Sequence, residues 1–224
     1  MSSVIQPSVF AFLKALKVNN DRDWFQEHKG DYQDALDNFK AFAASLHDHM
    51  TLHDEIERMK LHRIYRDVRF SKDKTPYNAH FSGSFVRATK WKRGGYYFHL
   101  EPGNSFVGGG FWGPERDDLK RIRTELATAA TPLRDIINSA EFIATFGELK
   151  GEQLKTSPQG YPNDHPNIDL LRYKQFLVSH SFTDKEVMAP DFAAQASSVF
   201  HQMRPFFDFM SDVLTTDENG VPLE

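Results

Sequence analysis

Residues 96–107, which read YYFHLEPGNSFV, carry the pattern that decides the fold. Every second residue from 96 to 100 is large and apolar, and this period of two is typical of a strand with one face on a core. His99 and Glu101 fall on the opposite face. Pro102, Gly103 and Asn104 then predict a turn, because proline suits its first central position and glycine its second. Residues 105–107 resume the strand pattern, so the stretch predicts an antiparallel hairpin.

Two earlier segments of the chain show the same period of two. Branched and aromatic residues alternate with polar ones over residues 64–70, and Phe81, Gly83 and Phe85 alternate with smaller residues. The three glycines at 108–110 are expected to end the strand and to allow a close backbone approach that side chains would block. We therefore predict an antiparallel meander over residues 60–112.

Helical spacings of three, four and seven precede this meander. They predict one helix around residues 9–16 and a long helix over about residues 21–52, with a break possible at Gly30. After the meander, Pro114 and the acidic residues beside it are typical of a helix start. A shorter helix is expected to follow around residues 133–140.

The last third of the chain predicts a loop, an ambiguous segment and a final helix. Residues 156–167 are rich in Pro, Gly, Asn and Asp, and residues 168–178 fit either a helix or one later strand. Thr183 is followed three residues later by glutamate, which is the capping-box pattern. An amphipathic helix over residues 192–214 should be kinked or divided by Pro205. Helices before and after one antiparallel sheet define an α+β fold, with the sheet packed against N- and C-terminal helices.

The composition limits the classes of protein to consider. The chain has 224 residues, a formal net charge of −4 and no cysteine, so disulfides, thiolate nucleophiles and cysteine-ligated metal centres are excluded. No apolar run approaches the ~20 residues of a membrane span, and the first residues lack the pattern of a secretory signal. We expect a soluble cytoplasmic protein that does not enter a membrane, with a single domain over residues 1–224 and a frayed tail after about residue 216.

Charge is segregated along the chain. Residues 58–93 hold eleven Lys or Arg and two acids, a net of +9, which leaves −13 for the remainder. A basic segment of this kind could face an anionic ligand or pair with the protein's own acidic helices.

The densest group of charges lies in residues 63–77, which read RIYRDVRFSKDKTPY. On a strand, Arg66 would share its face with apolar neighbours and need a partner, whereas Arg63 and Arg69 would face the open side. Guanidinium groups grip phosphate or carboxylate through paired hydrogen bonds, and lysines add point charges. The predicted ligand-binding residues are Arg63, Arg66, Arg69 and Lys74, with Tyr77, Arg172 and Lys174 in a second tier.

Asp67, within the same stretch, has three open roles. It could hold an arginine in place, bind a metal, or act as the acid or base of an enzyme, for which it is the best candidate. The alternative for the whole stretch is a structural Arg–Asp network that ties the sheet to the helices.

Residues 63–77 resemble the signature of a widespread bacterial family, also seen in some fungal proteins. That family is known only as a conserved domain of unknown function. Segments similar to those around the signature occur at residues 19–25, 101–103, 109–110 and 169–172. The resemblance spans nearly the whole chain and implies a single domain of about this length, but no activity. Asn78 stands where relatives often carry lysine, so it is not included among the ligands.

No metal site is predicted, although His99, Glu101 and His165 could supply nitrogen and oxygen ligands. These residues follow no recognised metal-ligand spacing. The glycines at 108–110 precede a helix start and loosely resemble a phosphate cradle, but the chain contains neither of the glycine-rich phosphate-binding motifs in the required context. Any cofactor stays unknown.

Three function hypotheses remain open. The first is a protein that binds a small anionic ligand, which could be an enzyme acting on that ligand. The second is a nucleic-acid-binding module, in which aromatic residues of the basic segment stack on bases. These residues are Tyr65, Phe70, Tyr77, Phe81, Phe85, Trp91, Tyr96 and Tyr97. The third is an interaction or scaffold protein without a ligand, and the oligomeric state is open in all three.

Overall fold

The computed structural model describes residues 3–217 and 220–223, which form ten helices and five strands. The helices are α1 (Pro7–Val18), α2 (Arg22–Glu27), α3 (Lys29–Met50), α4 (Arg116–Thr128), α5 (Thr131–Ile137), α6 (Ala140–Phe146), α7 (Ile168–Leu171), α8 (Asp184–Val187), α9 (Phe192–Gln202) and α10 (Arg204–Thr215). The strands are β1 (Ile56–Leu61), β2 (Phe81–Arg87), β3 (Gly95–Leu100), β4 (Ser105–Phe111) and β5 (Phe176–Phe182).

The strands form one antiparallel sheet in the order β1-β2-β3-β4-β5, which confirms the α+β fold. β5 is the later strand that the sequence left open, since residues 168–178 divide into α7 and the start of β5. The meander prediction is wrong in two places. The glycines at 108–110 lie inside β4 instead of ending it, and residues 62–77 form no named strand.

The helices depart from their predicted bounds in several places. The short helix expected around residues 133–140 is interrupted at Asn138 and Ser139, between α5 and α6. The long N-terminal helix is broken at His28 rather than at Gly30, which lies in the first turn of α3. Asp21 caps α2 by accepting a hydrogen bond from the Trp24 amide at 2.9 Å. The final helix is divided after Gln202, with Pro205 in the first turn of α10. The predicted capping box at Thr183 is present.

The chain divides into two compact units. The first contains the residues up to Phe85 together with Tyr97–Val107 and Ser181–Ser198. The second contains Val86–Tyr96, Gly108–His180 and the residues from Val199 onward.

In the first unit, aromatic rings join α3 to the sheet. Phe39 of α3 stacks on Phe81 of β2 with ring centroids 4.9 Å apart, and Phe85 stacks on Phe98 of β3 at 5.3 Å. Gly83 leaves room for the Phe98 ring, since a Cβ there would lie 2.4 Å from it. The predicted apolar face of the hairpin therefore faces α3, and His99 is directed to the other face.

In the second unit, the sheet packs on the C-terminal helices. Tyr96 of β3 contacts Phe200 of α9 and Phe207 of α10, with ring centroids 5.1 and 4.9 Å apart. Gly110 of β4 has φ of 135°, and a Cβ there would lie 2.1 Å from the Phe176 carbonyl oxygen of β5. The close approach expected of the glycines is thus made within the sheet.

Among the described residues, no helix combines the length and the apolar character that crossing a membrane requires. Near the C-terminus, Thr216 and Pro222 form an antiparallel bridge. Residues 218, 219 and 224 of the predicted frayed tail lie outside the described residues. The frayed tail and the single cooperative domain both stay predictions.

Candidate functional site

Residues 63–77, called the motif loop from here on, form a closed loop and not the predicted strand. Tyr65 and Tyr77 make an antiparallel bridge, and the Arg66 amide donates to the Pro76 carbonyl at 2.9 Å. The Asn78 amide donates to the Ile64 carbonyl at 2.7 Å. The two ends of the loop are therefore held side by side, and nine residues, 67–75, span the turn between them.

Two aspartates explain why the strand prediction fails. Asp67 accepts from the Arg69 amide at 3.2 Å, and Asp73 accepts from the Thr75 amide at 3.0 Å. Each contact is a turn in which a side chain binds backbone two residues further on, which competes with strand pairing. The alternation of apolar and polar residues alone does not distinguish a strand from a loop that is closed by such turns.

Arg66 is partly buried and closes the loop from inside. Its Nη1 donates to Asp73 Oδ2 at 2.6 Å and to the Thr75 carbonyl at 3.1 Å, and it also contacts the Thr75 hydroxyl. Hydrogen bonds from the Thr75 amide and from Arg66 lower the pKa of Asp73 from 3.8 to about 2. The pair is ionised at neutral pH and fixes the two halves of the loop to each other.

Asp67 and Arg69 form a second pair on the surface of the loop. Arg69 Nε and Nη2 reach the carboxylate at 2.9 and 2.6 Å, which is the two-pronged geometry that guanidinium favours. The pairing lowers the pKa of Asp67 and raises that of Arg69. This geometry anchors Arg69, and the role of Asp67 as an acid or base stays a prediction.

The remaining cations of the motif loop differ in their engagement. Lys74 Nζ donates to the Val68 carbonyl at 2.9 Å and to the Arg69 carbonyl at 3.4 Å, which folds the lysine over the turn. Arg63 and Lys72 are exposed and make no ion pair with any residue that the structure describes. These two charges are available to a ligand.

Tyr77 anchors the motif loop to the N-terminal helices. Its ring is buried and stacks on Phe25 of α2 with centroids 4.0 Å apart. Asn20 holds its backbone from both sides, accepting from the Tyr77 amide at 3.1 Å and donating to its carbonyl at 2.9 Å. Burial is the main cause that raises the pKa of its phenol. Tyr77 therefore has a clear packing role, and its contact with a ligand stays a prediction.

Arg172 and Lys174 belong to the second unit, whereas the motif loop belongs to the first. Lys174 pairs with Glu152 at 2.5 Å. The buried Nε of Arg172 has no hydrogen-bond partner among the residues described.

Exposed aromatic residues bear on the nucleic-acid hypothesis. Phe70, at the turn of the motif loop, is 95% exposed, and Tyr65 is 53% exposed. Phe81, Phe85 and Tyr96, by contrast, are buried in the cores described above. The aromatic surface available for stacking is thus much smaller than the sequence predicted.

A histidine cluster lies on the sheet face opposite α3, formed by His62, His80 and His99. His80 and His99 have ring centroids 4.1 Å apart, and His99 Nε2 lies 3.3 Å from Glu101 Oε2. Burial is the main cause that lowers the pKa of all three, that of His80 to about 4. The imidazoles are therefore uncharged at neutral pH.

The cluster does not form a metal centre. Within residues 3–217 and 220–223, no group of three or more His, Asp or Glu side chains has an arrangement that could hold a metal ion. His165 belongs to the second unit, where its Nδ1 accepts from the Asn167 amide at 3.1 Å. Sequence reasoning missed His62 and His80, although the alternation over residues 97–101 already placed His99 beside Tyr97 and Glu101.

The fold and these sites define an α+β protein with an arginine-rich surface loop. The chain belongs to the family described as "Conserved hypothetical protein (DUF2461)", which matches residues 8–209. No curated protein and no solved structure matches the chain.

Proposed function

We propose that the motif loop binds a small anion, a phosphate or a carboxylate, chiefly through Arg63. The observation that carries the proposal is the contrast within the loop. Arg66 and Arg69 are held by aspartates, while Arg63 is exposed and unpaired with any described residue. A guanidinium beside a fixed backbone binds an oxyanion with less loss of freedom than one on a flexible segment.

The paired arginines keep part of their donor capacity for a ligand. Arg66 binds Asp73 and Thr75 through Nη1 alone, and Arg69 binds Asp67 through Nε and Nη2. Nitrogens Nε and Nη2 of Arg66 and Nη1 of Arg69 have no acceptor among the described residues. In this proposal Asp67 positions Arg69, and Lys74 donates hydrogen bonds to the Val68 and Arg69 carbonyl oxygens of the turn.

Calorimetric titration with inorganic phosphate at low ionic strength tests the proposal. Arg63→Ala should weaken phosphate binding by roughly tenfold or more, because a charge-assisted hydrogen bond contributes about 1.5–3 kcal/mol. Arg58→Ala is the matched control, since it removes an exposed arginine of β1 outside the motif loop. Equal affinities of the wild type and the Arg63 variant, or no binding by the wild type, would contradict the proposal.

One observation favours single-stranded nucleic acid as a second candidate ligand. Phe70 is 95% exposed and lies 5.9 Å from the Arg69 guanidinium, in a loop that also carries Lys72. A base stacked on such a ring contributes about 1–3 kcal/mol, and the cations would contact phosphates. Phe70→Ala should then weaken oligonucleotide binding and leave phosphate binding unchanged.

The dependence of oligonucleotide binding on salt tests the second candidate, and the absence of any anion binding would favour the structural alternative. Oligonucleotide binding should fall steeply between about 50 and 200 mM salt if several phosphates are contacted. Without oligonucleotide binding at low salt, the second candidate is eliminated. If no anion binds at all and motif-loop variants change only stability, the Arg–Asp network is structural.

A further inference from the structure

A chain of hydrogen bonds crosses the histidine cluster. The Tyr97 hydroxyl oxygen lies 3.1 Å from His99 Nδ1, and His99 Nε2 lies 3.3 Å from Glu101 Oε2. Glu101 is itself held, because Lys17 Nζ and Asn104 Nδ2 each donate to its carboxylate at 2.9 Å. Tyr97, His99 and Glu101 occupy alternate positions on one face, so a single strand direction aligns all three.

The protonation states follow from these contacts. Hydrogen bonds from Asn104, Lys17 and His99 lower the pKa of Glu101 to about 2, against the opposing effect of burial. An ionised carboxylate only accepts, so His99 Nε2 must carry a proton. Burial lowers the pKa of His99, so the ring is neutral and its Nδ1 is an acceptor. The Tyr97 hydroxyl therefore donates its proton to Nδ1.

This arrangement has the order carboxylate, imidazole, hydroxyl. That order defines an activated nucleophile by geometry and role, whatever the positions in the sequence. Here Glu101 fixes the tautomer, His99 is the base, and the phenol oxygen of Tyr97 is the reacting atom. Tyr97 is partly exposed, whereas His99 is buried behind it.

The surroundings of Tyr97 select the kind of substrate. Its ring lies 5.7 Å from Phe106 and 5.8 Å from His62, whose nitrogens contact the hydroxyls of Ser82 and Ser84. Burial, and to a smaller extent the charge of Lys60, lower the pKa of His62. Tyr97 is thus bordered by uncharged rings, which suit a small uncharged molecule with an aromatic or apolar part.

We propose that Tyr97, His99 and Glu101 form an acyl-transfer site for small uncharged esters, independent of the motif loop. The Tyr97 oxygen attacks the ester carbonyl carbon and forms an oxygen–carbon bond, while its proton passes to His99 Nδ1. The ester carbon–oxygen bond breaks, and the proton on Nδ1 passes to the leaving oxygen, which departs as an alcohol. Water then attacks the acyl carbon and gives up a proton to His99 Nδ1. The bond between the Tyr97 oxygen and the acyl carbon breaks, the proton on Nδ1 returns to the Tyr97 oxygen, and a carboxylic acid is released.

Reaction with p-nitrophenyl acetate tests the proposal in the intact protein. The expected result is release of p-nitrophenol with one acetyl group on Tyr97, located by peptide mass spectrometry. His99→Gln should slow acetylation of Tyr97 by roughly 100-fold, since a positioned base contributes about that much or more. Tyr97→Phe should remove the acetylation at this position and slow the release of p-nitrophenol. Tyr65→Phe is the matched control, because Tyr65 is exposed and makes no hydrogen bond to an imidazole among the described residues.

A second measurement, made on the wild type, tests the proposal even if a variant fails to fold. Nitrogen-15 NMR of the wild type should show His99 with a proton on Nε2 and none on Nδ1, and Glu101→Gln should disturb this tautomer. A proton on Nδ1 in the wild type would overturn the proposal. Acetylation confined to lysines, or an equal rate at Tyr97 in the His99 variant, would overturn it as well.

Discussion

Arg66 and Asp73 join the two halves of the motif loop, and the titration of the Asp73 carboxyl group reports on this contact. The Asp73 carboxyl group has a pKa of about 2, because the Thr75 amide and Arg66 donate hydrogen bonds to it. The contribution of ionised Asp73 to the free energy of unfolding is fully present above the ordinary pKa of 3.8, and it is lost as the pH falls through about 2.

Carbon-13 NMR of the Asp73 carboxyl group measures this directly, with an expected midpoint near 2. Arg66→Ala should raise the midpoint toward 3.8 without reaching it, because the Thr75 amide still donates. Arg63→Ala should leave the midpoint unchanged. A wild-type midpoint at the ordinary value would show that the pair does not hold the loop in solution.

Individual residues also show what the sequence could and could not predict about the site. The exposure of Arg63 and Arg69 and the partial burial of Arg66 agree with the alternation argument, although the loop is not a strand. The partner of Arg66 was not predictable from that argument. Asp73 lies seven residues away and reaches it only because the chain folds back between them.

Close contacts between β4 and β5 give the clearest prediction at the scale of elements. Gly110→Ala should destabilise the protein by on the order of 3 kcal/mol, because the new Cβ meets the Phe176 carbonyl and φ is 135°. Gly30→Ala in α3 is the matched control, since nothing lies within 4 Å of its Cβ position. It should stabilise the helix by up to about 1 kcal/mol.

Urea unfolding followed by far-ultraviolet circular dichroism measures both variants. Equal stability of the Gly110 variant and the wild type would mean that β4 and β5 are not in contact as described.

Elements with a strong period were predictable, whereas elements set by tertiary contacts were not. The hairpin of β3 and β4 follows from alternation and from the Pro102 turn signal. Gly108 and Gly110 were expected to end the strand, yet they lie within it because β5 approaches closely and leaves no room for side chains. The sequence leaves a later strand open over residues 168–178, but it contains no sign that this strand pairs with β4.

The single-domain prediction belongs to the scale of the whole molecule. The chain passes between the two compact units five times, and every crossing lies inside a strand or a helix. Each of five elements therefore contributes residues to both units, namely β2, β3, β4, β5 and α9. We therefore expect one cooperative unfolding transition.

Tryptophan fluorescence and circular dichroism should give coincident unfolding curves. Limited proteolysis should first cut the tail after residue 216 and the 156–167 loop. Two separate transitions, or two stable fragments divided near residue 113, would contradict the prediction.

NMR of the arginine Nε–H groups during a titration with inorganic phosphate tests the central claim most directly. In the proposed site the exposed Arg63 side chain binds the anion, while Arg66 and Arg69 keep their pairs with Asp73 and Asp67. We expect a saturable shift of the Arg63 Nε–H resonance, with smaller shifts at Arg66 and Arg69 and none at Arg58. A set of shifts that is linear and equal for all exposed arginines would contradict it, as would the absence of any shift at Arg63.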